Sequence, residues 1–271
     1  MTQITTPAIS LKSATKRFAT KDKKGFTAIT DVTFDVNAGE FVTVVGPTGC
    51  GKSTTLSLIS GLEPPSAGTV EVHGSPVNGI PEGVGYMFQT DAVLPWKNVF
   101  DNVALGLRYQ KVAKAEVTER AHDWIKRVGL AGFEDRYPHQ LSGGMRKRVA
   151  MAQTLITEPS LLMLDEPFAA LDVQTRELMQ DELLNLWSGS GAAVVFVTHD
   201  LTEAISLADR VVVMTAGPAT VKDIVPIDLP RPRKVEDIRL TPEFTQLYRH
   251  VWESLREEVE ITRSRGAFNV A

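Results

Sequence analysis

One stretch of this 271-residue chain decides its fold: Gly46-Pro47-Thr48-Gly49-Cys50-Gly51-Lys52-Ser53. It fits a pattern of one glycine, four free positions, and then glycine, lysine and serine or threonine. In that pattern, backbone N–H groups curl around phosphate oxygens at a helix N-terminus, and glycines stand where a Cβ would obstruct the approach. The apolar run Phe41–Val45 precedes the stretch, and the helical pattern of Lys52–Ile59 overlaps its end. The sequence therefore predicts a strand, a phosphate-binding loop and a helix in succession.

Three side chains of this loop have a chemistry of their own. Lys52 is expected to reach the outer phosphates of a nucleotide, and Ser53 to bind a magnesium ion. We expect the neighbouring Thr54 to contribute to the same site. The thiol of Cys50 is either a small filler or a group that a bound nucleotide would shield.

Polar residues follow three other apolar runs. Asp165 and Glu166 come directly after residues 161–164, while Gln89 and His199 follow strand-like runs. Asp165 is a candidate magnesium ligand, and Glu166 is a candidate base for the water that attacks the terminal phosphate. Gln89 and His199 are expected at the edge where such a sheet binds its ligand, so each could contact the terminal phosphate or the metal.

The order of apolar patterns predicts an α/β fold. The continuous runs 161–164 and 193–198 are typical of strands buried in a parallel sheet, and helical patterns lie between them. Alternating residues near Ile9 and Val36 predict a small N-terminal antiparallel sheet, with a mobile hairpin at the polar stretch 21–25.

Two helical regions complete the predicted architecture. Residues 101–136 indicate a helical insert, and residues after 226 end in an amphipathic helix. Ser142 is suited to cap a helix over 145–155, and Ser142-Gly143-Gly144 forms a second possible anion cradle. This cradle is either an ordinary helix start or a surface that grips the nucleotide of another copy.

Composition limits the function classes. The formal net charge is −4, which argues against a chain that coats nucleic acid with a uniformly basic surface. The single cysteine, Cys50, excludes an internal disulfide. The longest wholly apolar run, 192–197, is far shorter than the ~20 residues of a membrane-spanning helix. The N-terminal residues lack the pattern of a secretory signal, so we expect a cytoplasmic location.

Taken together, these motifs resemble the nucleotide-binding subunit of ATP-binding cassette (ABC) transporters. The resemblance covers about residues 8 to 225 and rests on the phosphate loop and five further motifs: Gln89, residues 141–145, residues 161–166, Ala169-Ala170-Leu171-Asp172 and His199. It implies a P-loop NTPase (RecA-like) core in a domain over 1–225, with the antiparallel β subdomain, an inserted α-helical subdomain at about 90–155, and a C-terminal extension over 226–271.

The resemblance also implies a mechanism. Two copies, or one copy and a paralogous ABC subunit, would form a head-to-tail dimer that binds two ATP molecules with Mg²⁺. Each ATP would lie between one phosphate loop and residues 142–144 of the other copy. Glu166 would be the base, His199 the terminal-phosphate contact, Gln89 a metal and water sensor, and Asp172 part of the dimer contact.

Finer features resemble the subfamily that energises importers of nitrate, taurine and other sulfonates. They are Met87-Phe88-Gln89, Leu94-Pro95-Trp96 and Leu229-Pro230-Arg231-Pro232-Arg233. The implied partners are transmembrane permease subunits and, indirectly, a solute-binding protein, which places the chain on the cytoplasmic face of the membrane. Trp96 could either contact the permease or pack into the helical subdomain.

Three positions depart from the family pattern. Phe18 is the best match to the aromatic residue that stacks on adenine, with Phe26 as the alternative in the same hairpin. Lys147 and Gln153 replace the glutamine and arginine expected after residues 142–144. The two replacements concern the fine contacts of the signature motif, residues 141–145, and not its Ser-Gly-Gly cradle.

Two other functions remain as alternatives. One is a soluble ABC ATPase of DNA repair or translation, although residues 90–140 lack the long coiled coil of the repair enzymes and the chain holds one cassette. The other is a small-molecule kinase, which would explain Lys52 and Asp165 but not Glu166, His199 or the second glycine cradle.

Overall fold

The computed structural model describes residues 6–19, 25–90 and 92–267. The predicted mobile stretch 21–25 lies outside these residues, except for Gly25. The strands are β1 (Ile9–Phe18), β2 (Phe26–Val36), β3 (Phe41–Val45), β4 (Ala67–Val72), β5 (Ser75–Pro76), β6 (Val84–Met87), β7 (Leu161–Asp165), β8 (Ala193–Val197), β9 (Arg210–Met214) and β10 (Val221–Pro226). The α-helices are α1 (Lys52–Ile59), α2 (Val99–Val103), α3 (Leu105–Tyr109), α4 (Lys114–Arg127), α5 (Gly143–Leu155), α6 (Val173–Trp187), α7 (Leu201–Leu207), α8 (Val235–Ile238) and α9 (Pro242–Ala267).

A six-stranded sheet forms the centre of the molecule, in the order β10-β9-β3-β8-β7-β6. β3, β6, β7, β8 and β9 run parallel, and β10 joins the edge antiparallel. Every residue of β3, β7 and β8 is buried, as their continuous apolar sequences predict. Parallel strands end at one edge of the sheet, so the residues that follow β3, β6, β7 and β8 come close together there.

The N-terminal strands form a separate antiparallel sheet in the order β2-β1-β4-β5. In its register, Ile9 pairs with Val36 and Leu11 with Phe34. These apolar side chains are buried in a core shared with α1 and one face of the central sheet. The antiparallel β subdomain predicted from sequence is thereby confirmed.

Helices α2 to α5 lie between β6 and β7 in the chain and pack mainly on one another. Val117, Ala121 and Trp124 lie buried on one face of α4, because residues three and four positions apart share one side of a helix. Ser142 caps α5, because its Oγ accepts a hydrogen bond from the backbone N–H of Met145 at 3.3 Å. The combination of P-loop core, antiparallel sheet and inserted helices agrees with the predicted fold class.

The C-terminal residues pack against the central sheet and its helices. Arg233 is buried and donates to the carbonyl oxygens of Ser206, Ala208, Ile227 and Leu229 at 2.6–3.3 Å. The apolar face of α9, with Phe244, Val251 and Leu255 buried, packs on α7 and β9.

Glu258 joins α9 to the connection between β9 and β10. Its Oε2 accepts from the backbone N–H of Ala216, and its Oε1 accepts from Lys222 Nζ, both at 2.8 Å. That connection lies beside the phosphate loop, since a Cβ built on Gly217 would be 3.8 Å from the carbonyl oxygen of Gly49. The terminal helix therefore supports the loop through one intervening turn.

Within the described residues, no helix combines the length and the apolar character that crossing a bilayer requires.

Candidate nucleotide site

The phosphate loop turns sharply between β3 and α1. Gly49 and Gly51 have φ values of 76° and 119°, in the left-handed region that favours glycine. A Cβ on Gly51 would lie 2.4 Å from Ile29 Cγ2 and 3.0 Å from the Ala28 carbonyl oxygen. The glycine is therefore required both by the backbone conformation and by the close approach of β2.

The loop also holds Lys52 and Cys50 in place. Lys52 is 6% exposed, and its Nζ donates to the carbonyl oxygens of Gly46 and Pro47 at 2.9 and 3.1 Å. These bonds fold the ammonium group across the loop. Cys50 is 1% exposed, and burial raises the pKa of its thiol although the charge of Lys52 acts against the rise. The structure thus favours the interpretation of Cys50 as a small filler.

Asp165 ends β7 directly beside α1. Its Oδ1 accepts a hydrogen bond from Ser53 Oγ at 3.0 Å. Burial is the main cause that raises the pKa of Asp165; the charge of Glu166 adds to the rise, and the Ser53 hydrogen bond opposes it. Tyr86 on β6, which the sequence reasoning missed, is a further neighbour, and burial followed by the charge of Asp165 raises the pKa of its phenol.

Glu166 connects the two polar residues predicted at neighbouring strand ends. Its Oε2 lies 3.1 Å from His199 Nδ1 and accepts from Gln89 Nε2 at 3.4 Å. The backbone N–H of Glu166 donates to the Val197 carbonyl oxygen at 2.9 Å, which ties the residue to β8. The φ of Glu166 is +44°, so its backbone turns away from the strand direction immediately after Asp165.

A cavity of about 510 Å³ lies between these groups and the antiparallel sheet. It is lined by the phosphate loop and the start of α1, by Gln89, Glu166 and His199, and by Phe26 and Ala28 of β2. Its size is in the ordinary range for a small-molecule site. The folded chain therefore brings together the loop, the candidate base and both candidate phosphate contacts.

The candidate adenine residue Phe18 is placed differently from Phe26. Phe26 lines the cavity and is 53% exposed. Phe18 is its cross-strand neighbour but is not among the lining residues, and Lys16 Nζ lies 5.1 Å from its ring centroid. Lys16 is itself held by Glu63 and the Pro64 carbonyl oxygen. The alternative, Phe26, is thus the aromatic residue that faces the cavity in this conformation.

The second glycine cradle and Asp172 lie apart from this cavity. Residues 142–144 do not belong to its described lining, and Ser142 and Gly143 are exposed. Asp172 is also exposed, and it caps α6 by accepting a hydrogen bond from the Thr175 N–H at 3.0 Å. A Cβ on Gly144 would lie 3.0 Å from Thr175 Cγ2, so the cradle and the start of α6 form one continuous surface.

Lys147 has a role that motif comparison alone does not give. It is 4% exposed, and its Nζ donates to the carbonyl oxygen of Gln89 at 3.3 Å. Lys147, where the family pattern has glutamine, therefore links helix α5 to the segment that contains Gln89.

These features are those of a phosphate-loop nucleotide site: a glycine loop with a buried lysine, a hydrogen-bonded serine–aspartate pair, and the carboxylate of Glu166 at the cavity wall. Comparison with known proteins makes the class narrower. A protein-family model for ABC transporters matches residues 29–169, and the chain belongs to that family. It is an ATPase coupled to transport.

Relatives and solved structures agree with this assignment. An uncharacterized ABC transporter ATP-binding protein of Methanocaldococcus jannaschii is 47% identical over 232 residues, which are 86% of this chain and 85% of that protein. A taurine import ATP-binding protein of Escherichia coli is 40% identical over 243 residues, which are 88% and 95% of the two chains. An ATP-binding cassette solved as a dimer in a post-hydrolysis state with ADP and Pi has a TM-score of 0.72 at 30% identity, and the match covers 82% of this chain and 100% of that one.

Proposed function

We propose that this chain is the ATP-hydrolysing subunit of a binding-protein-dependent importer for a small anion or organic solute of the nitrate, sulfonate or taurine class. The observation that carries the proposal is the hydrogen-bonded group of Glu166, His199 and Gln89 beside the phosphate loop. The 40% sequence identity to a taurine import ATP-binding protein supports the proposed class of solute. We place the nucleotide-binding domain at 1–225 and the C-terminal extension at 226–271.

The proposed reaction is hydrolysis of the terminal phosphoanhydride bond of ATP. Glu166 accepts a proton from water while the water oxygen bonds to the γ-phosphorus and the bond to the β-phosphate oxygen breaks, giving ADP and phosphate. His199 holds the Glu166 carboxylate and stands at the cavity wall, where it can donate to the terminal phosphate. Lys52 and the loop N–H groups stabilise the phosphate charges.

The donor atoms of the site fit Mg²⁺. Mg²⁺ takes oxygen ligands, commonly one or two carboxylates together with substrate phosphates. Ser53 Oγ and Asp165 Oδ1, 3.0 Å apart, and the side-chain oxygen of Gln89 are such donors. When bound, the ion would neutralise charge on the phosphates.

The proposal requires a second copy of this chain or a paralogous subunit. Ser142 and Gly143 are exposed, Gly144 is half-buried, and all three lie outside the lining of the cavity in their own chain. A closed site needs hydrogen-bond donors on its open side. A head-to-tail dimer provides them, with Asp172 in the contact. The related cassette that was solved as a dimer supports this arrangement.

A groove beside Gln89 fits the permease partner. It lies between β6 and the helical subdomain, has a volume of about 250 Å³, and is lined in part by Phe88, Tyr109 and Gln153. Phe88 and Tyr109 are 42% and 80% exposed. Trp96 follows the lining residue Ala92 in the chain and is 71% exposed, which supports a contact with the permease over packing in the helical subdomain. Docking of the permease there places the chain on the cytoplasmic face of the membrane.

The proposal is tested with Glu166→Gln, which keeps the size of the side chain and removes the base. We expect this variant to bind ATP, release no phosphate and accumulate as a dimer in size-exclusion chromatography. The parent chain should release phosphate from ATP without any acceptor, which a small-molecule kinase would not do. Turnover by Glu166→Gln at the parent rate would overturn the assignment of the base. Failure to copurify with a membrane protein would count against the importer.

A further inference from the structure

A second cavity borders the first residues of the phosphate loop, Gly46, Pro47 and Thr48. We call it the α9 crevice; its volume is about 610 Å³, and its walls include Pro47, Thr48 and His199 on one side and Tyr248, Trp252 and Arg263 of α9 on the other. Thr48 and His199 also line the nucleotide cavity. The two cavities are therefore neighbours on one face of the molecule.

The composition of α9 at this crevice is that of an interface. Tyr248, Trp252, Leu255 and Val259 recur at helical spacing and so share one face. Leu255 is buried by the core, but Tyr248 and Trp252 remain 39% and 43% exposed. Tryptophan, tyrosine and arginine are the residues that most often contribute large binding energies in protein contacts.

The surface that should meet this crevice is present on the chain itself. Ala169, Ala170 and Asp172 are exposed, and Val173 at the start of α6 is 65% exposed. This segment adjoins the glycine cradle through the contact of Gly144 with Thr175. A second copy whose cradle covers the ATP site therefore brings its residues 169–173 to the same face, beside the α9 crevice.

Charge supports the same pairing. The hydrogen bonds at the start of α6, that from Thr175 first, lower the pKa of Asp172, which keeps the carboxylate ionised. Arg263 at the crevice has the opposite charge, and the acid that also lines the crevice, Asp200, is already paired with Arg176 at 3.2 Å. The exposed Val173 beside Asp172 is therefore complementary to the rings of Tyr248 and Trp252 beside Arg263.

We propose that α9 forms part of the ATP-dependent dimer interface, with residues 169–173 of a second copy seated in the α9 crevice against Tyr248, Trp252 and Arg263. This rests on the proposed function, because ATP must draw the two copies together. It assigns the C-terminal extension a role in closing the nucleotide site.

The first test measures dimer affinity in the full-length Glu166→Gln chain with saturating ATP, by sedimentation. A symmetric dimer holds two such crevices, so a loss of about tenfold in each would weaken the dimer about a hundredfold in Trp252→Ala. The matched control is Ile261→Ala, on the same helix, half-exposed and outside the crevice. Binding of ATP to the monomer and the melting temperature confirm that each variant is folded.

The outcomes separate the two proposals. If the Glu166→Gln parent remains monomeric with ATP, the proposed function fails, and this inference fails with it. If the parent forms dimers and Trp252→Ala matches Ile261→Ala, the inference alone is overturned.

A second test locates the contact. In a Cys50→Ser, Glu166→Gln background, Tyr248→Cys combined with Val173→Cys should give a cross-linked dimer with a short bismaleimide in ATP and none in ADP. Ile261→Cys combined with Val173→Cys is the control. Equal cross-linking of the two pairs, or none for the Tyr248→Cys pair in ATP, would refute the placement.

Discussion

The bond network of Glu258 leads to a quantitative prediction about the C-terminal helix. Glu258→Ala removes the acceptor of the Ala216 N–H, and Ala216 is only 9% exposed. A buried donor left without a partner costs about 1–3 kcal/mol, and loss of the partly buried pair with Lys222 adds roughly 1 kcal/mol. We therefore expect the free energy of unfolding to fall by about 2–4 kcal/mol. At about 2–4 °C per kcal/mol for a chain of this order of size, Tm should fall by roughly 4–16 °C.

The neighbouring residue provides the control for this prediction. Glu257 also pairs with Lys222, at 3.1 Å, but its side chain is 77% exposed. Glu257→Ala should therefore change stability by less than about 1 kcal/mol. Thermal melts followed by circular dichroism measure the difference. ATP titration should also show weaker binding for Glu258→Ala than for Glu257→Ala, since the turn at Ala216 and Gly217 supports the phosphate loop. Equal Tm values for the two variants would refute the reasoning.

Three further predictions concern the nucleotide site. Gly51→Ala should abolish ATP binding, because the new Cβ would clash with Ile29 and Ala28. The Cβ of Gly49→Ala would meet no atom within 4 Å, so this variant should be milder despite its positive φ, and equal ATP affinities of the two variants would contradict the reasoning. Cys50 should react slowly with a thiol reagent in the native protein, because the thiolate is the reactive form and burial raises the pKa of this thiol. The labelling rate should rise only as the pH passes above the ordinary thiol pKa of 9.0, and fast labelling at pH 7 would disprove the burial. Phe26→Ala should weaken ATP binding more than Phe18→Ala, and the reverse order in a fluorescent-nucleotide assay would assign the adenine contact to Phe18.

The sequence predicts best where a short segment determines its own structure. Helix α1 spans Lys52–Ile59 as predicted, because the glycine loop sets its start and Gly61, with φ of +71°, follows its end. The meeting of Glu166 with His199 and Gln89 also follows from strand order, since parallel strands end at one edge.

Contacts between distant segments were less accessible from the sequence. The spacing of Tyr248 and Trp252 marks an amphipathic helix, but no local pattern says that this helix lies beside Pro47 and Thr48. Sequence comparison identifies Lys147 only as a departure from the family pattern, and its hydrogen bond to Gln89 follows from the packing of α5. The choice between Phe18 and Phe26 depends on how a hairpin curves over the cavity, which periodicity does not encode.

Because of the left-handed backbone at Glu166, activity and stability favour different residues at this position. A non-glycine residue at φ of +44° costs of order 1–2 kcal/mol relative to ordinary strand geometry. The turn nevertheless directs the carboxylate toward His199 and Gln89 instead of along the strand. Replacement by a residue that tolerates this geometry would relieve the strain and remove the proposed base in the same step. Variants chosen only for heat resistance should therefore accumulate losses of activity at this position.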